Sequence, residues 1–506
     1  MKTHKASAFV VLLAALHSGH TAAAFFPVDK PLLVRYNKTV LPRGSLPRGS
    51  SGRLRYRVAA VTGVLRGRNC ILLRPLVRDG GFFALLHKSN IYAILLKKGV
   101  TSVPRVIFHC DLNCFFASVE LLEHPELQNV PVAVCGDPEQ RHGIILAKNE
   151  PAKRRGVRTA ETIWQAKRKC PELVLLPPHH GRYAEYSRRI NAIYYEYTDL
   201  VEPFGIDESW LDVTGSLHLF GGDAKALADA LRERVRRELG LTISVGVSFN
   251  KVFAKLGSDY KKPDATTVIP PDGWQDIVWP LPVSSLLFVG RAAEEQLGRY
   301  GIRTIGELAS CKEEMLDTLM GKMGVQLHRY ANGLDDSPVR SADERDPVKS
   351  VGNSTTFPRD LTKWDELRDG VALLSDSVAM RLRRHGLYCG GVQVGLRDNK
   401  FNNLSRQKTL PRSTRLMREI ETAALELLRG VWKAPTPVRL LSVTAIYLTD
   451  REATYEQLDL LGAPPEAQDK QEAVEDAMAR IRAKYGAGAI SYARRAGDLG
   501  KVTHHE

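Results

Sequence analysis

The sequence predicts an α+β protein of three or four modules, and three observations carry that expectation. From about residue 105 onward, short β-branched apolar runs alternate with amphipathic stretches at three- and four-residue steps, as mixed modules require. A chain of 506 residues with 43% apolar residues is long enough to bury several cores. After a polar run at 341 to 347, the last module reads β-α-β-β-α-β, the ferredoxin-like order.

The first hundred residues stand apart. Lys2 and Lys5, the apolar run from 8 to 16 and three alanines at 22 to 24 imitate a secretory signal. Leu-Pro-Arg-Gly-Ser then occurs twice, at 41 to 45 and 46 to 50, with no amphipathic period around it. Residues 1 to 104 are therefore expected to be a basic N-terminal extension, disordered or a consequence of a misplaced start, with no export function. After Met1 the next methionine is Met315, so a start near the first strand would use a valine codon, Val100 or Val103.

Charge has to be read by segment. Residues 1 to 104 hold 17 Lys+Arg and 2 Asp+Glu, which equals the net +15 of the whole chain, so the other 402 residues are neutral overall. Global charge therefore says nothing about a polyanionic partner. Residues 348 to 449 are different, with 17 basic and 9 acidic side chains, a local surplus suited to phosphates. The seven cysteines are odd in number and lack C-x-x-C spacing, so they indicate neither a disulfide framework nor a zinc site.

The modules follow in order. A strand at 105 to 111 leads into a helix through Phe115, Phe116, Val119 and Leu122, and a strand at 130 to 135 follows. Residues 143 to 170 are rich in basic side chains around short helices. A helix at 181 to 198, a strand carrying Asp207-Glu208, a helix at 223 to 239 and a strand at 241 to 247 come next. Composition shifts at 270 to 282 into a helical segment that ends near 338. The last module has strands at 348 to 357, 389 to 398, 403 to 410 and 438 to 448. Its helices are one with Trp364, Leu367, Val371, Leu374, Val378 and Leu382 on one face, and one at 412 to 430. Val474, Met478, Ile481 and Tyr485 then mark a short amphipathic helix ending at Gly486.

The chemistry lies in two stretches, V-I-F-H-C-D-L-N-C-F-F at 106 to 116 and F-G-I-D-E-S-W-L-D at 204 to 212. Each sets acidic residues at the end of an apolar run, where a strand presents carboxylates at the rim of a sheet. Asp111, Asp207 and Glu208 could share a pair of magnesium ions, which favour carboxylate, phosphate and water oxygens and serve phosphoryl transfer when about 4 Å apart. An Asp-Glu pair after a strand is, taken alone, more commonly a solvated turn.

From about 103 to 449 the order of these residues resembles the Y-family of translesion DNA polymerases, of the DinB type. The resemblance rests on Asp111 followed by Phe115-Phe116, on the I-D-E-S-W-L-D box at 206 to 212, and on S-F-N-K-V-F-A-K-L-G-S-D-Y-K-K-P at 248 to 263. It implies a right-hand polymerase with a ferredoxin-like palm (105–114 and 180–269) and small fingers (115–179). A helical thumb with a helix-hairpin-helix (270–340), a linker (341–347) and a β-α-β-β-α-β little finger (348–450) would complete it, with a tail at 451–506. It implies two Mg2+ ions on Asp111, Asp207, Glu208 and the backbone carbonyl of Leu112, with Asp207 and Glu208 as the catalytic pair, and Phe116 as the steric gate against a ribose 2′-hydroxyl. Lys262 matches a lysine that approaches the nucleotide phosphates.

The fingers depart from the family pattern. Where many relatives have T-A-N-Y-x-A-R, this chain has A-K-N-E-P-A-K at 147 to 153, so Glu150 replaces the tyrosine and Lys153 the arginine. Lysine keeps the charge and loses the bidentate fork. Lys153 is expected on the triphosphate with Lys148 as a substitute, and Glu150 has no assigned role. The thumb turn P-G-V-G reads L-F-V-G at 287 to 290, leaving Gly290 for a DNA phosphate. In the little finger, Arg397, Lys400, Arg406 and Lys408 are the candidate DNA contacts. Beyond it, Gln457-Leu458-Asp459-Leu460-Leu461 resembles the peptide that docks bacterial polymerases on the sliding clamp, with Gln457, Leu458, Leu460 and Leu461 as anchors.

The expected protein is thus a template-directed, low-fidelity DNA polymerase without proofreading, acting in translesion synthesis. It would take primer-template DNA, deoxynucleoside triphosphates and the sliding clamp as partners, as a cytoplasmic, nucleoid-associated monomer with no membrane attachment. A non-catalytic clamp- and DNA-binding homologue and a UmuC-type polymerase subunit are the alternatives.

Overall fold

The structure is a computed structural model that describes residues 75–78, 81–84, 104–137, 143–341, 344, 347–450, 465–486 and 488–492. The chain divides into two units, Met1–Ser102 and Val103–Glu506. In the first, the described residues form one antiparallel hairpin, β1 (Pro75–Arg78) with β2 (Gly81–Ala84). The signal-like run, Val100 and Val103 lie outside the described residues, as does the clamp-like peptide Gln457, Leu458, Leu460 and Leu461. Among the described residues no helix is long and apolar enough to cross a membrane.

The second unit begins β3 (Ile107–Leu112), α1 (Phe115–Leu121), β4 (Val132–Cys135), β5 (Ile145–Lys148), α2 (Glu150–Arg154), α3 (Ile163–Lys169), β6 (Val174–Leu176) and α4 (His180–Tyr195). It continues β7 (Val201–Pro203), β8 (Glu208–Asp212), α5 (Ala224–Leu239), β9 (Ile243–Ser248), α6 (Lys251–Tyr260) and β10 (Thr266–Val268). Five of these strands make one sheet in the order β10-β9-β3-β8-β7. Its central strand β3 is buried along its whole length, so both faces must be covered.

Alternation along β3 divides its side chains between those faces. Phe108, Cys110 and Leu112 pack with Tyr183, Ile190 and Tyr194 of α4 and with Leu227, Leu231 and Val235 of α5. Phe115 and Val119 of α1 join the same core. Ile107, His109 and Asp111 face the other way, where α6 lies. Gly246 sets how near α6 comes, since a Cβ there would stand 1.9 Å from the Ala254 carbonyl oxygen. That close approach brings Lys255 and Ser258 over β3.

A smaller sheet, β5-β4-β6, pairs β4 antiparallel to β5 and parallel to β6. Its core is Ala133, Cys135, Ile145, Ala152, Val157, Ala166, Cys170 and Leu173. The sequence suggested short helices among basic residues here. Helices α2 and α3 are indeed present, but they cover a sheet whose flanking strands are only four and three residues long, too short for an alternation to be read.

Past β10 come α7 (Trp274–Val278), α8 (Arg291–Gly298), α9 (Ile305–Ala309), α10 (Glu313–Met320) and α11 (Lys322–Ala331). Val278, Leu297, Ile305, Leu308, Leu316 and Leu327 share one core with Val252, Phe253 and Leu256 of α6.

The last module runs β11 (Ser350–Leu361), α12 (Trp364–His385), β12 (Leu387–Asp398), β13 (Asn403–Thr414), α13 (Met417–Val431) and β14 (Val438–Asp450). Its element order is the expected β-α-β-β-α-β, but its strands order β11-β14-β12-β13, all antiparallel, so the second and fourth strands take the centre where a ferredoxin-like sheet places the first and third. Strand β13 extends past the expected end at 410 because it lies at the sheet edge, where Pro411 need not donate to a neighbour. Helix α13 accordingly begins at Met417 rather than 412.

The expected tail helix is present as α14 (Pro465–Tyr485), stopped by Gly486 at φ 92°. Its apolar positions are not what docks it, since Val474, Ile481 and Tyr485 remain exposed. A polar face docks instead. Glu475 pairs with Arg383 at 2.7 Å and accepts from the Met417 amide, Asp476 and Glu472 reach Arg415 at 3.1 and 3.2 Å, and Arg482 pairs with Asp376 at 2.9 Å. Glu475 and Arg383 are both largely buried, so truncating one leaves an uncompensated charge. Arg383→Ala is expected to destabilise the docked helix by about 3–5 kcal/mol, read as early proteolysis or faster amide exchange across 470–485.

Candidate active site

Register places the acidic residues together. Asp111, near the end of β3, lies opposite Glu208, the first residue of β8, and the Leu112 amide donates to the Asp207 carbonyl at 3.0 Å. The turn from β7 into β8 is tight, with Phe204 N–H donating to the Glu208 carbonyl, and Gly205 adopts φ +104°, a conformation a side chain would oppose. The F-G-I-D-E sequence thereby delivers both carboxylates at the strand's first residues. Asn113 closes the other side: its amide reaches Thr242, and its side-chain oxygen accepts from Ser244 Oγ at 2.8 Å.

Two lysines occupy this rim. Lys255 Nζ lies 3.2 Å from Asp111, 2.9 Å from Glu208 and 3.2 Å from Asp259. Lys262 Nζ lies 2.7 Å from both Asp111 and Asp259. Lys255 and Asp259, one helical turn apart on α6, thus face the site together with Lys262 just beyond. Sequence reasoning singled out Lys262 but missed Lys255 and Asp259, although their spacing across N-K-V-F-A-K-L-G-S-D-Y-K-K-P contained the signal.

Beneath them lies His109, fully buried. Its Nδ1 is 2.8 Å from Ser258 Oγ, and its Nε2 faces Glu208 at 3.2 Å. Ser258 Oγ also donates to the Lys255 carbonyl, tying histidine, serine and lysine into one support. Among the described residues, His109, Asp111 and Glu208 offer ligand atoms within 4.8 Å of one another. His109 was not foreseen, although it lies two residues before Asp111 and so on the same face of β3.

Electrostatics separate the carboxylates. Burial, with Asp111 and Glu208 adding like charge, pushes Asp207 up to about 6. Burial also works against ionised Glu208, but His109 and Lys255 outweigh it and hold it at about 2. Asp111 is raised by burial despite Lys262 and Lys255. Both lysines are raised, because Asp259 and Asp111 outweigh their desolvation. Three hard oxygen donors under such mutual repulsion form a set that divalent cations suit.

The neighbouring aromatics are ordered. Phe116 stacks on Tyr183 with ring centres 4.0 Å apart and 9° between planes, and His180 meets its edge at 5.9 Å. Helix α2 reaches the start of α1: Glu150 lies 3.5 Å from Cys114 Sγ and 3.3 Å from Lys153 Nζ. Glu150 is thus met by a cation and a thiol, and burial plus that carboxylate push the Cys114 thiol up to about 11. Lys148 instead donates to Thr159 at 3.1 Å.

The remaining candidates lie elsewhere. Gly290 is the N-cap of α8 with ordinary extended φ, and the left-handed position of that turn falls on Phe288 at φ 70°. The little-finger cations do not share one face. Arg397 pairs in register with Asn403 and donates to it at 2.7 Å, on the face away from the helices, and Lys400 sits in the hairpin turn. Arg406 and Lys408 lie opposite Val394 and Val392, which point to the helices, and Lys408 pairs with Glu426 of α13 at 2.5 Å.

Fold and site together describe a nucleotide-polymerising enzyme, and comparison with known proteins agrees. The impB/mucB/samB family matches residues 110–259, and the C-terminal domain of that family matches residues 348–460. The chain belongs to this family, the Y-family of translesion DNA polymerases. DNA polymerase IV of Acetivibrio thermocellus is 47% identical over 384 residues, covering 76% of this chain and 96% of that protein. DNA polymerase IV 1 of Bacillus subtilis is 39% identical over 382 residues, covering 76% and 91%. A solved chimeric Y-family DNA polymerase shares the fold with a TM-score of 0.60 at 22% identity, over 68% of this chain and 100% of its own. The activity is DNA-directed DNA polymerisation with divalent metal, on a DNA template and nucleotide substrates.

Proposed function

We propose that nucleotidyl transfer runs at Asp111, Asp207 and Glu208, which hold two Mg2+ ions with the Leu112 carbonyl as a further oxygen. The observation that carries this is the register that sets Asp111 against Glu208 with Asp207 adjoining. Ions bound there supply charge neutralisation for the triphosphate and activation of the primer 3′-hydroxyl. Lys262 and Lys153 take the phosphates, each exchanging a carboxylate partner for the nucleotide, with Lys148 in reserve at the end of β5. Phe116, held against Tyr183, stands where a 2′-hydroxyl would collide.

The same reading assigns roles to the modules. Residues 105–114 and 180–269 act as palm, 115–179 as fingers, 270–340 as thumb, 341–347 as linker and 348–450 as little finger. Gly290, Arg397, Lys400, Arg406 and Lys408 contact DNA, and residues 457–461 of the tail contact the sliding clamp. Synthesis is of low fidelity and unproofread, by a cytoplasmic, nucleoid-associated monomer. Primer extension by the pure protein past a lesion-bearing template base tests the assignment. Clamp binding without extension would point instead to a non-catalytic homologue.

Proton linkage gives a second test. Asp207 titrates near 6 in the folded protein and near 4 when unfolded, so the folded state holds the extra proton between those values. That carboxyl's stabilising contribution is complete below about pH 4 and lost as pH rises through 6. A divalent ion needs the ionised form, so its affinity moves the other way. Calorimetric Mn2+ or Mg2+ affinity is expected to fall about tenfold between pH 7 and 5 and to be flat above 7. A flat profile throughout would remove Asp207 from the ligand set.

A further inference from the structure

We infer that Trp164, backed by Arg168, is a stacking platform for the unpaired template strand on the 5′ side of the templating base. Trp164 is 65% exposed on α3, an unusual place for the largest aromatic side chain. The helix that carries it is nevertheless fixed in place. Thr162 and Gln165 form a capping box at the start of the helix, and Ala166 and Cys170 anchor the opposite side in the core of the small sheet. One face of the indole carries the Arg168 guanidinium, 5.0 Å from the ring centre.

Charge indicates the class of occupant. Residues 143–176 contain eight Lys+Arg and three Asp+Glu. Each of the three acids is already paired: Glu150 with Lys153, Glu161 with Lys169 and Glu172 with Arg155. An exposed indole on a capped helix, on a surface with that cationic excess, fits a polyanion that offers flat π-faces, which is single-stranded nucleic acid. An apolar protein partner would leave this charge uncompensated.

Placement selects the strand. Strand β5 connects the two regions: at its start the Ile145 amide donates to the Glu161 carbonyl and the Ile163 amide to Gly143, beside α3. At its end Lys148 leads into Asn149 and Glu150, which contacts Cys114 at the carboxylate site. The platform's side of β5 is therefore about 10 Å from the nucleotide-phosphate end, three steps at roughly 3.3 Å per residue. DNA behind the nascent pair is duplex with the primer, so the unpaired strand is the template ahead of it. This rests on the reading that the nascent pair forms beside Asp111.

The test compares full-length wild type, Trp164→Ala and Trp164→Phe on two primer-templates, one with a single templating nucleotide and one with an eight-nucleotide 5′ overhang. Wild type is expected to bind the long overhang more tightly. Trp164→Ala should lose that increment, about tenfold in Kd, while Trp164→Phe keeps most of it. Binding to the short substrate, and single-nucleotide insertion on it, should not change. If Trp164→Ala matches wild type on both substrates, or weakens both equally, the platform is overturned. The insertion assay reports on the carboxylate site alone, so an inactive wild type would count against that site while the binding comparison still decides the platform.

Discussion

Asp207→Ala/Glu208→Ala is expected to lower primer extension by about 10³-fold or more while leaving a folded protein. Both carboxylates sit on a rim where like charge is crowded: Asp207 is pushed up to about 6 by burial and by its two neighbours. Removing Asp207 relieves repulsion, whereas removing Glu208 gives up its contacts with His109 and Lys255, so the two changes oppose each other in stability. Lys255 loses Glu208 but keeps Asp111 and Asp259, so no buried ammonium is stranded. The variant should melt close to the wild-type temperature without metal, and still bind primer-template. Single-turnover insertion at saturating substrate is the measurement. Extension at a wild-type rate would place the chemistry elsewhere, and a melt lowered by many degrees would mean that the loss reports misfolding.

Phe116→Ala is expected to erode sugar discrimination by about 100-fold, mainly by admitting ribonucleotides and with little change for deoxynucleotides. The ring cannot swing aside in the wild type, because Tyr183 lies flat against it and His180 meets its edge. Tyr183 is in turn fixed by Glu120 and by the His179 amide, so the wall behind the gate is stiff. Alanine opens space at the ring's position without moving that wall. The ratio of kcat/KM for matched deoxy- and ribonucleotides reads the effect, and Phe116→Leu should give an intermediate value. An unchanged ratio would return Phe116 to the role of a core aromatic.

Much of this was legible in the sequence, for identifiable reasons. The strand at 107–112 announces itself as an apolar run, and its central place in the sheet follows from being covered on both sides. The β-α-β-β-α-β module was readable because its long strands and the 22-residue helix α12 give each period room to repeat. What escaped were features set by tertiary approach. Lys255 joins the carboxylates because Gly246 lets α6 lie on the sheet, which no local pattern states. Glu150, conspicuous as a carboxylate near a triphosphate, becomes ordinary once Lys153 and Cys114 are seen beside it. The tail helix was legible as a helix from its apolar stripe, but not its attachment, which Glu475, Asp476 and Arg482 make.

The ammonium groups of Lys255 and Lys262 give the catalytic rim an internal set of counter-ions. Many metal sites are incomplete without their ion and lose their fold when it is withdrawn. Here Asp111 and Glu208 already face ammonium groups, so on the proposed reading the arrival of metal at them would be an exchange of one set of positive charges for another. Folding is thereby uncoupled from metal supply: a cell starved of divalent ions would keep an intact, idle enzyme rather than a denatured one. Loading is correspondingly less favourable than for an empty acidic pocket, since a cation must displace two that are covalently tethered. The nucleotide can assist, because its phosphates offer both lysines a new partner at the moment the metal needs their place.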